Sequence, residues 1–294
     1  PLELKREPLN VEKVDFENQK VYRLDPATKN FVEDEFRIEE IDFKKAVFRD
    51  MQFIGKTGWA VGRNGIIMTT ANGGDTWQIE KWGSLNFNDI HMLSPQKSIA
   101  VTDNGLLLST EDGGRSWKVS EWEGYSSSLN RIAFSNGNGI VAGDRGTILK
   151  TVNGGKDWFL TVLNEAKRKN KHMNLNSVTF IDAESAWIVG DRGMVLTTRN
   201  GGATWTQRKF QENDFFAVHF RDRKNGIIAG ESGIVVRTDD GGAKWRRSTV
   251  ARNRINYVVT SGDKTWLFGD NGLVKSSTNL RNWNGQEGGS FFIT

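Results

Sequence analysis

Five segments of this chain match almost letter for letter: Thr70-Ala-Asn-Gly-Gly-Asp-Thr-Trp77, Thr110-Glu-Asp-Gly-Gly-Arg-Ser-Trp117, Thr151-Val-Asn-Gly-Gly-Lys-Asp-Trp158, Thr198-Arg-Asn-Gly-Gly-Ala-Thr-Trp205 and Thr238-Asp-Asp-Gly-Gly-Ala-Lys-Trp245. A sixth, Ser277-Thr-Asn-Leu-Arg-Asn-Trp283, has lost its glycines and one residue. Successive tryptophans lie 40, 41, 47, 40 and 38 residues apart. A period of this size is that of one four-stranded propeller blade. Composition agrees: 32 Gly, 11 Trp and only 4 Pro describe short strands joined by many tight turns.

Each repeat parses alike. An alternating apolar segment comes first, such as Ile90-His91-Met92 or Val218-His219-Phe220 (strand A). A short strand B ending in Gly follows, as in Trp187-Ile-Val-Gly190. A polar turn (Asp191-Arg192-Gly193 and its equivalents) then leads into an Ile/Leu/Val strand C. Such turns need positive φ, which Gly and Asn supply most readily. The repeated box joins strands C and D. Its acidic or amide residue, Asn72, Asp112, Asn153, Asn200, Asp240 or Asn279, can accept hydrogen bonds from the turn's own amides. Its tryptophan, Trp77, Trp117, Trp158, Trp205, Trp245 or Trp283, starts strand D and covers the turn. Elements repeated this faithfully are fold staples rather than one catalytic site.

The fold expected is therefore an all-β propeller forming a single domain over residues 1–294, with six boxed repeats in 44–288. The ends suggest a seventh blade built from 1–43 and 289–294, with six blades as the alternative. Val11 to Phe16, Lys20 to Leu24 and Phe31 to Phe36 read as strands, with Asp25 to Phe31 as a worn box between two of them. Ser290 to Thr294 would pair with them and close the ring, removing exposed edges.

The run Gly-(Trp/Ile)-x-Val-Gly-x-x-Gly-(Ile/Leu)-(Ile/Leu), followed by Thr-x-(Asp/Asn)-Gly-Gly-x-x-Trp, resembles the photosystem II stability/assembly factor family of propellers, most clearly over residues 46 to 285. The boxes alone occur also in sialidases, sortilin-like receptors and secreted glycosidases. The resemblance implies a non-enzymatic binding platform for a membrane-protein partner, in the thylakoid lumen or bacterial periplasm, with an arginine-rich patch on one face. Non-photosynthetic bacteria also hold members, so a photosystem partner is not implied.

Alternating turns sort the charges. The A–B turns and boxes share one face; the B–C turns and D-to-A connections share the other. That second face is expected to carry Arg63, Arg145 and Arg192 from B–C turns. Lys167, Arg168, Lys169 and Lys171 join them from the longest connection, with Arg131, Arg252 and Arg254 beside strands A. Arg suits carboxylate and phosphate recognition through its planar fork. The partner expected is a membrane-protein complex presenting acidic loops, met by a monomer that is at most peripheral to the membrane. The same turns carry Asp103, Asp144, Asp191, Glu231 and Asp270, which would neutralise such a face in the alternative of a merely solvated rim.

Other chemistries find little support. No apolar run approaches the ~20 residues that span a bilayer. With 0 Cys there is no disulfide, thiolate metal site or cysteine nucleophile. A sialidase needs an arginine triad and a Tyr nucleophile with a Glu base. Tyr22, Tyr125 and Tyr257 are the only tyrosines, and neither an Arg-Ile-Pro signature nor a Glu partner accompanies them. His91, His172 and His219 suggest no metal site, and no cofactor motif is present, so none is expected. Nucleic acid is not an expected partner. The rival functions are a secreted carbohydrate-active protein, sialidase-like hydrolase or lectin, and an accessory subunit of an envelope transporter. Pro1 stands where an initiator Met or signal stretch would, as expected of a trimmed or processed exported chain whose targeting segment is absent.

Overall fold

The computed structural model describes residues 13–15, 20–24, 31–34, 47–82, 84–122, 127–162, 173–210 and 212–286. Among them no helix is long and apolar enough to cross a membrane. Each boxed repeat becomes one four-stranded antiparallel sheet whose strands lie in chain order. The chain divides into two compact units, residues 1–132 with 154–160, and residues 133–153 with 161–294.

The first unit holds the first blade (Phe48–Ile54, Thr57–Gly62, Ile66–Thr70, Gln78–Lys81) and the second (Phe87–Met92, Ser98–Thr102, Leu107–Thr110, Lys118–Ser120). The second unit holds the fourth (Leu175–Phe180, Ala186–Gly190, Met194–Thr198, Thr206–Lys209), the fifth (Phe215–Phe220, Gly226–Gly230, Ile234–Thr238, Arg246–Thr249) and the sixth (Ile255–Ser261, Lys264–Gly269, Leu273–Ser277, Asn284–Gln286). The third blade (Leu129–Ser135, Asn138–Gly143, Thr147–Thr151, Phe159–Val162) draws strands from both.

Strand B is apolar where both of its faces are covered; Ala186–Gly190 and Gly226–Gly230 are buried at every residue. In the first unit Trp59, Val61 and Ile67 pack against Phe87, Ile90 and Leu108 of the next blade. In the second, Trp187 and Val189 meet Phe215, Val218 and Ile228, and Ile227 and Val235 meet Ile255 and Leu267. Strand D lies outermost, and Thr206–Lys209 and Arg246–Thr249 are exposed along their length.

A feature absent from the sequence reading recurs in strand A. The pairing with strand B shifts register between Phe48 and Asp50, Phe87 and Asp89, Leu175 and Ser177, Phe215 and Ala217, and Ile255 and Tyr257. Such a bulge re-aims the third side chain of the strand. In the second and fourth blades that side chain accepts a hydrogen bond from the next blade's strand A: Ile132 N donates to Asp89 Oδ2 at 2.7 Å, and Val218 N to Ser177 Oγ at 3.3 Å.

The expected seventh blade is not formed. Lys13–Asp15, Lys20–Leu24 and Phe31–Asp34 are strands, close to where the sequence placed them, but they make a separate three-stranded sheet. No other described strand pairs with it, so among the described residues there are six four-stranded blades and no strand closes the ring. The physical reason lies in the repeat itself. Every blade that forms has a Thr- or Ser-headed box, a tryptophan and a fourth strand; residues 1–43 have neither such a box nor a tryptophan, and their described strands number three. Ser290 to Thr294 and the worn box at 25–30 lie outside the described residues.

Candidate functional site

The boxes act as local staples. In the first blade Thr70 Oγ1 donates to Asn72 Oδ1 (2.8 Å) and accepts from Gly74 N (3.0 Å), while Thr76 N donates to Asn72 Oδ1 (3.0 Å). The same three bonds recur around Asp112, Asn200 and Asp240. Thr151–Asn153 and Ser277–Asn279 repeat the first of them. Accepting these bonds, with Ser116 among the donors, offsets the burial that acts on Asp112 and holds its carboxyl below the ordinary range. The indole N–H groups of Trp158 and Trp245 close the turn on Gly155 O and Gly242 O, both at 3.1 Å. Trp117 is buried edge-on against Trp59 at 5.6 Å, and Trp77 meets Phe53 in the same manner at 5.8 Å. Trp205 and Trp283 pack against the cores of the fourth and sixth blades.

The B–C turns at the other end of the strands are built to one plan. Asp144–Gly146, Asp191–Gly193, Glu231–Gly233 and Asp270–Gly272 are single 3₁₀ turns. The middle residue is left-handed in each: Arg145 (φ 55°), Arg192 (φ 56°), Ser232 (φ 51°) and Asn271 (φ 55°). An arginine in this conformation costs about 1–2 kcal/mol, so neighbouring bonds must hold it. Arg192 N donates to Asp214 Oδ1 of the next blade at 2.7 Å, and Arg145 N to Asn174 Oδ1 at 3.4 Å. In two of these turns the opening acid binds the backbone ahead of its own strand A. Asp191 Oδ2 accepts from Asn174 N at 3.2 Å, and Glu231 Oε2 from Asp214 N at 3.0 Å. Burial raises the Asp191 carboxyl above its ordinary pKa, opposed by the Asn176 and Asn174 bonds. These acids are therefore structural ties, and the side chains of Arg145 and Arg192 are exposed. Among the described residues neither has a carboxylate within ion-pair distance.

The other expected cations differ in their commitments. Arg63 is exposed but occupies the place of the turn's acid, one residue ahead of Arg145's place; Asn64 (φ 56°) has the left-handed position. Arg63 lies in the first unit and Arg145 and Arg192 in the second. Arg131 is spent internally, its Nη1 3.3 Å from the buried Asp89 carboxylate with only 18% of its side chain exposed. Arg254 pairs with Asp270 at 3.2 Å and stacks over the Phe216 ring at 4.8 Å. Arg252 is exposed on the same connection. Lys167, Arg168, Lys169 and Lys171 lie outside the described residues, as do His172 and Tyr125. A second gathering of arginines passed unnoticed in the sequence: Arg237, Arg246 and Arg281, at the box end of the fifth and sixth blades.

Two expectations about other chemistry can be placed. His91 is half-buried in strand A of the second blade, and His219 Nε2 lies 2.9 Å from Thr260 Oγ1 in the second unit. Among the described residues no group of three or more His, Cys, Asp or Glu side chains is placed to hold a metal ion. Between the boxes of the fourth and fifth blades lies a cavity of about 650 Å³ lined by Asp182, Thr197, Asn200, Thr206, Arg208 and Arg223. Arg223 crosses it to Asp182 at 3.5 Å.

A family model described as photosynthesis system II assembly factor YCF48 matches residues 79–167 and 165–253, together more than half of the chain. Among curated proteins none matches. Of solved structures, one described as YCF48 bound to D1 peptide is 20% identical, with 79% of this chain and 91% of that chain covered and a TM-score of 0.46. YCF48 from Cyanidioschyzon merolae is 18% identical over 78% of this chain and 94% of that chain, with the TM-score again 0.46. An ancestral GH74 enzyme reaches a TM-score of 0.63 at 16% identity, over 82% of this chain and 38% of that chain. Likeness of that last kind shows the propeller fold alone.

Proposed function

The chain belongs to the photosynthesis system II assembly factor YCF48 family, and from that premise we propose that it is a non-catalytic protein-binding platform for assembling a membrane-protein complex. The observation that carries the docking surface is the pair of exposed guanidiniums at Arg145 and Arg192. Each is held at the apex of a left-handed turn, and at Arg192 the turn's own acid is tied to backbone. A turn of this plan accepts Asn or Ser elsewhere in the chain, at Asn64, Ser232 and Asn271. The fold therefore does not need arginine there, and its presence serves something outside the blade.

In this reading the partner presents acidic loops. Arg252 and the basic connection 167–171 add to the surface, and the chain works outside the cytoplasm as a monomer. Exposed arginines of this kind chiefly set encounter rate and orientation. The repeat supplies its own neutral control, because Asn substitution at Arg145 and Arg192 restores what other blades carry.

The test uses the full chain, tagged, and detergent-solubilised membranes from its own source. Wild type co-purifies with one defined membrane complex, in a manner weakened by salt. Arg145→Asn/Arg192→Asn, together with Lys167→Gln, Arg168→Gln, Lys169→Gln and Lys171→Gln, loses that complex while melting at the wild-type temperature. Undiminished co-purification by the folded variant overturns the docking surface. Hydrolysis of a glycoside panel by wild type overturns the non-catalytic reading.

A further inference from the structure

Three guanidiniums converge on one carboxylate oxygen at the box end of the fifth blade. Arg246 Nη1 donates to Asp239 Oδ2 at 2.7 Å. Arg237 Nη1 and Arg281 Nη2 stand 3.7 and 3.6 Å from the same oxygen, too far for a hydrogen bond. Arg237 and Arg246 are direct cross-strand partners in strands C and D of the fifth blade. Arg281 comes from the sixth blade, where the worn box has replaced its Gly-Gly pair by Leu280 and Arg281. That box is anchored in turn by Arg221, which donates to Thr278 O at 2.7 Å and Asp263 O at 3.1 Å. All of these residues lie in the second unit.

The charges do not balance. Among the described residues no other carboxylate is within ion-pair distance of the three arginines, since Asp240 spends Oδ1 on Thr238 and Lys244 N within its own box. Three cations round one anion leave two positive charges uncompensated. Only 18% of the Arg237 side chain is exposed, against 56% for Arg246 and 60% for Arg281, so screening is weakest at Arg237 itself. Burial, with Arg281 and Arg246 beside it, pushes the Arg237 guanidinium below its ordinary pKa, against the pull of Asp239. Like charges directly opposed across two strands are destabilising. A fold that keeps them together has a use for an anion.

We infer that Arg237, Arg246 and Arg281 form a binding site for a dianionic tetrahedral oxyanion, a phosphate or a phosphate monoester. Charge selects the class, because a single carboxylate would leave one cation uncompensated and a phosphate of charge −1.5 to −2 closes the balance. Geometry agrees: three planar forks match the three free oxygens of a phosphoryl group, and the donors of Arg237 and Arg281 are not committed to Asp239. Asp239 acts as an internal anion that holds the forks in place. The site lies at the opposite end of the fifth blade's strands from its Glu231–Gly233 turn, and so stands apart from the docking surface proposed above.

The experiment is calorimetric titration of the full chain with inorganic phosphate, in a phosphate-free buffer at low ionic strength. Wild type gives a saturable one-to-one isotherm that weakens with added salt, and acetate gives none. Arg246→Gln/Arg281→Gln weakens binding at least about tenfold while its thermal midpoint and circular dichroism stay those of wild type. Asp239→Asn, which keeps all three guanidiniums, binds phosphate at least as tightly as wild type. Absence of saturable heat in wild type, equal binding by the double arginine variant, or loss of binding in Asp239→Asn each overturns the site. Flotation with phosphatidylcholine vesicles containing phosphatidic acid separates the sources. Co-flotation that the double variant loses assigns a lipid headgroup, and phosphate binding without co-flotation assigns a soluble phosphate.

Discussion

Gly242, the second glycine of the fifth blade's box, lies flat against the Trp187 indole of the fourth blade. A Cβ built on it would stand 2.3 Å from two of the ring's carbons. Gly114 meets Trp59 in the same way, at 2.5 Å, one repeat into the first unit. The second box glycine is therefore an inter-blade contact as well as a turn residue, and its φ of +89° at Gly242 is left-handed besides. Gly202 takes the same place against Ile140, where the contact loosens to 3.4 Å.

Gly242→Ala must accordingly displace the indole and strain the turn together. The expected loss is about 2–4 kcal/mol, from overpacking and a left-handed β-carbon. Gly73→Ala meets nothing within 4 Å, so it suffers the turn strain alone and should lose roughly 1–2 kcal/mol. Urea unfolding of both variants checks the ranking. Equal losses would remove the inter-blade contact as the reason for the second glycine.

Much of this was legible in the sequence because the box is a local device. Thr70, Asn72 and Gly74 bond one another within four residues, so spacing alone reveals them. The strand-A bulge left no such trace. Asp89 reads as a polar interruption in an apolar strand, and its purpose depends on Ile132 N, a partner 43 residues away. Arg131 reads as a surface cation for the same reason, since its Asp89 partner lies 42 residues away. The N-terminal strands were found from their alternation, but pairing between chain ends is a long-range contact that local pattern cannot encode. The arginines round Asp239 escaped notice because Arg281 arrives from another blade.

The left-handed turn apices yield a stability prediction independent of any partner. Arg192→Asn should unfold within about 0.5 kcal/mol of wild type, as an ordinary surface change at a conformation Asn tolerates. Arg192→Val should cost about 1–3 kcal/mol, because a β-branched residue resists positive φ. Denaturant midpoints at constant slope report both. If valine were as stable as asparagine, the apex would not be left-handed in solution.

Asp89 makes stability fall as pH rises. Its carboxyl is fully enclosed beside Asp50, with which it shares a hydrogen bond, and beside Arg131 and the Ile132 N–H. Burial is the largest influence and Asp50 adds to it, so the folded pKa stands well above the ordinary value despite Arg131. A group that holds its proton more tightly when folded loses stability as pH climbs from the unfolded pKa through the folded one. Asp89→Asn keeps an acceptor for Ile132 N and removes the titration. The stability of Asp89→Asn relative to wild type should therefore be greater at pH 8 than at pH 5. A difference that does not change with pH would show that Asp89 titrates normally.

His91 acts at the acid end with the opposite slope. Burial lowers its pKa to about 4, with Asp50 opposing. The unfolded chain takes up a proton near pH 6.5 while the folded chain resists until about 4, so stability falls as acid is added across that window. A gap of that size corresponds to roughly 3 kcal/mol lost by pH 4. His219 is shifted the same way by burial and by Arg221, and adds to the effect. His91→Gln removes one of the two titrations, so its urea midpoint should fall less than that of wild type between pH 7 and pH 4.5. Histidine resonances followed by NMR over the same range give the pKa directly. A His91 that titrates near 6.5 would mean that its strand-A position is open to water.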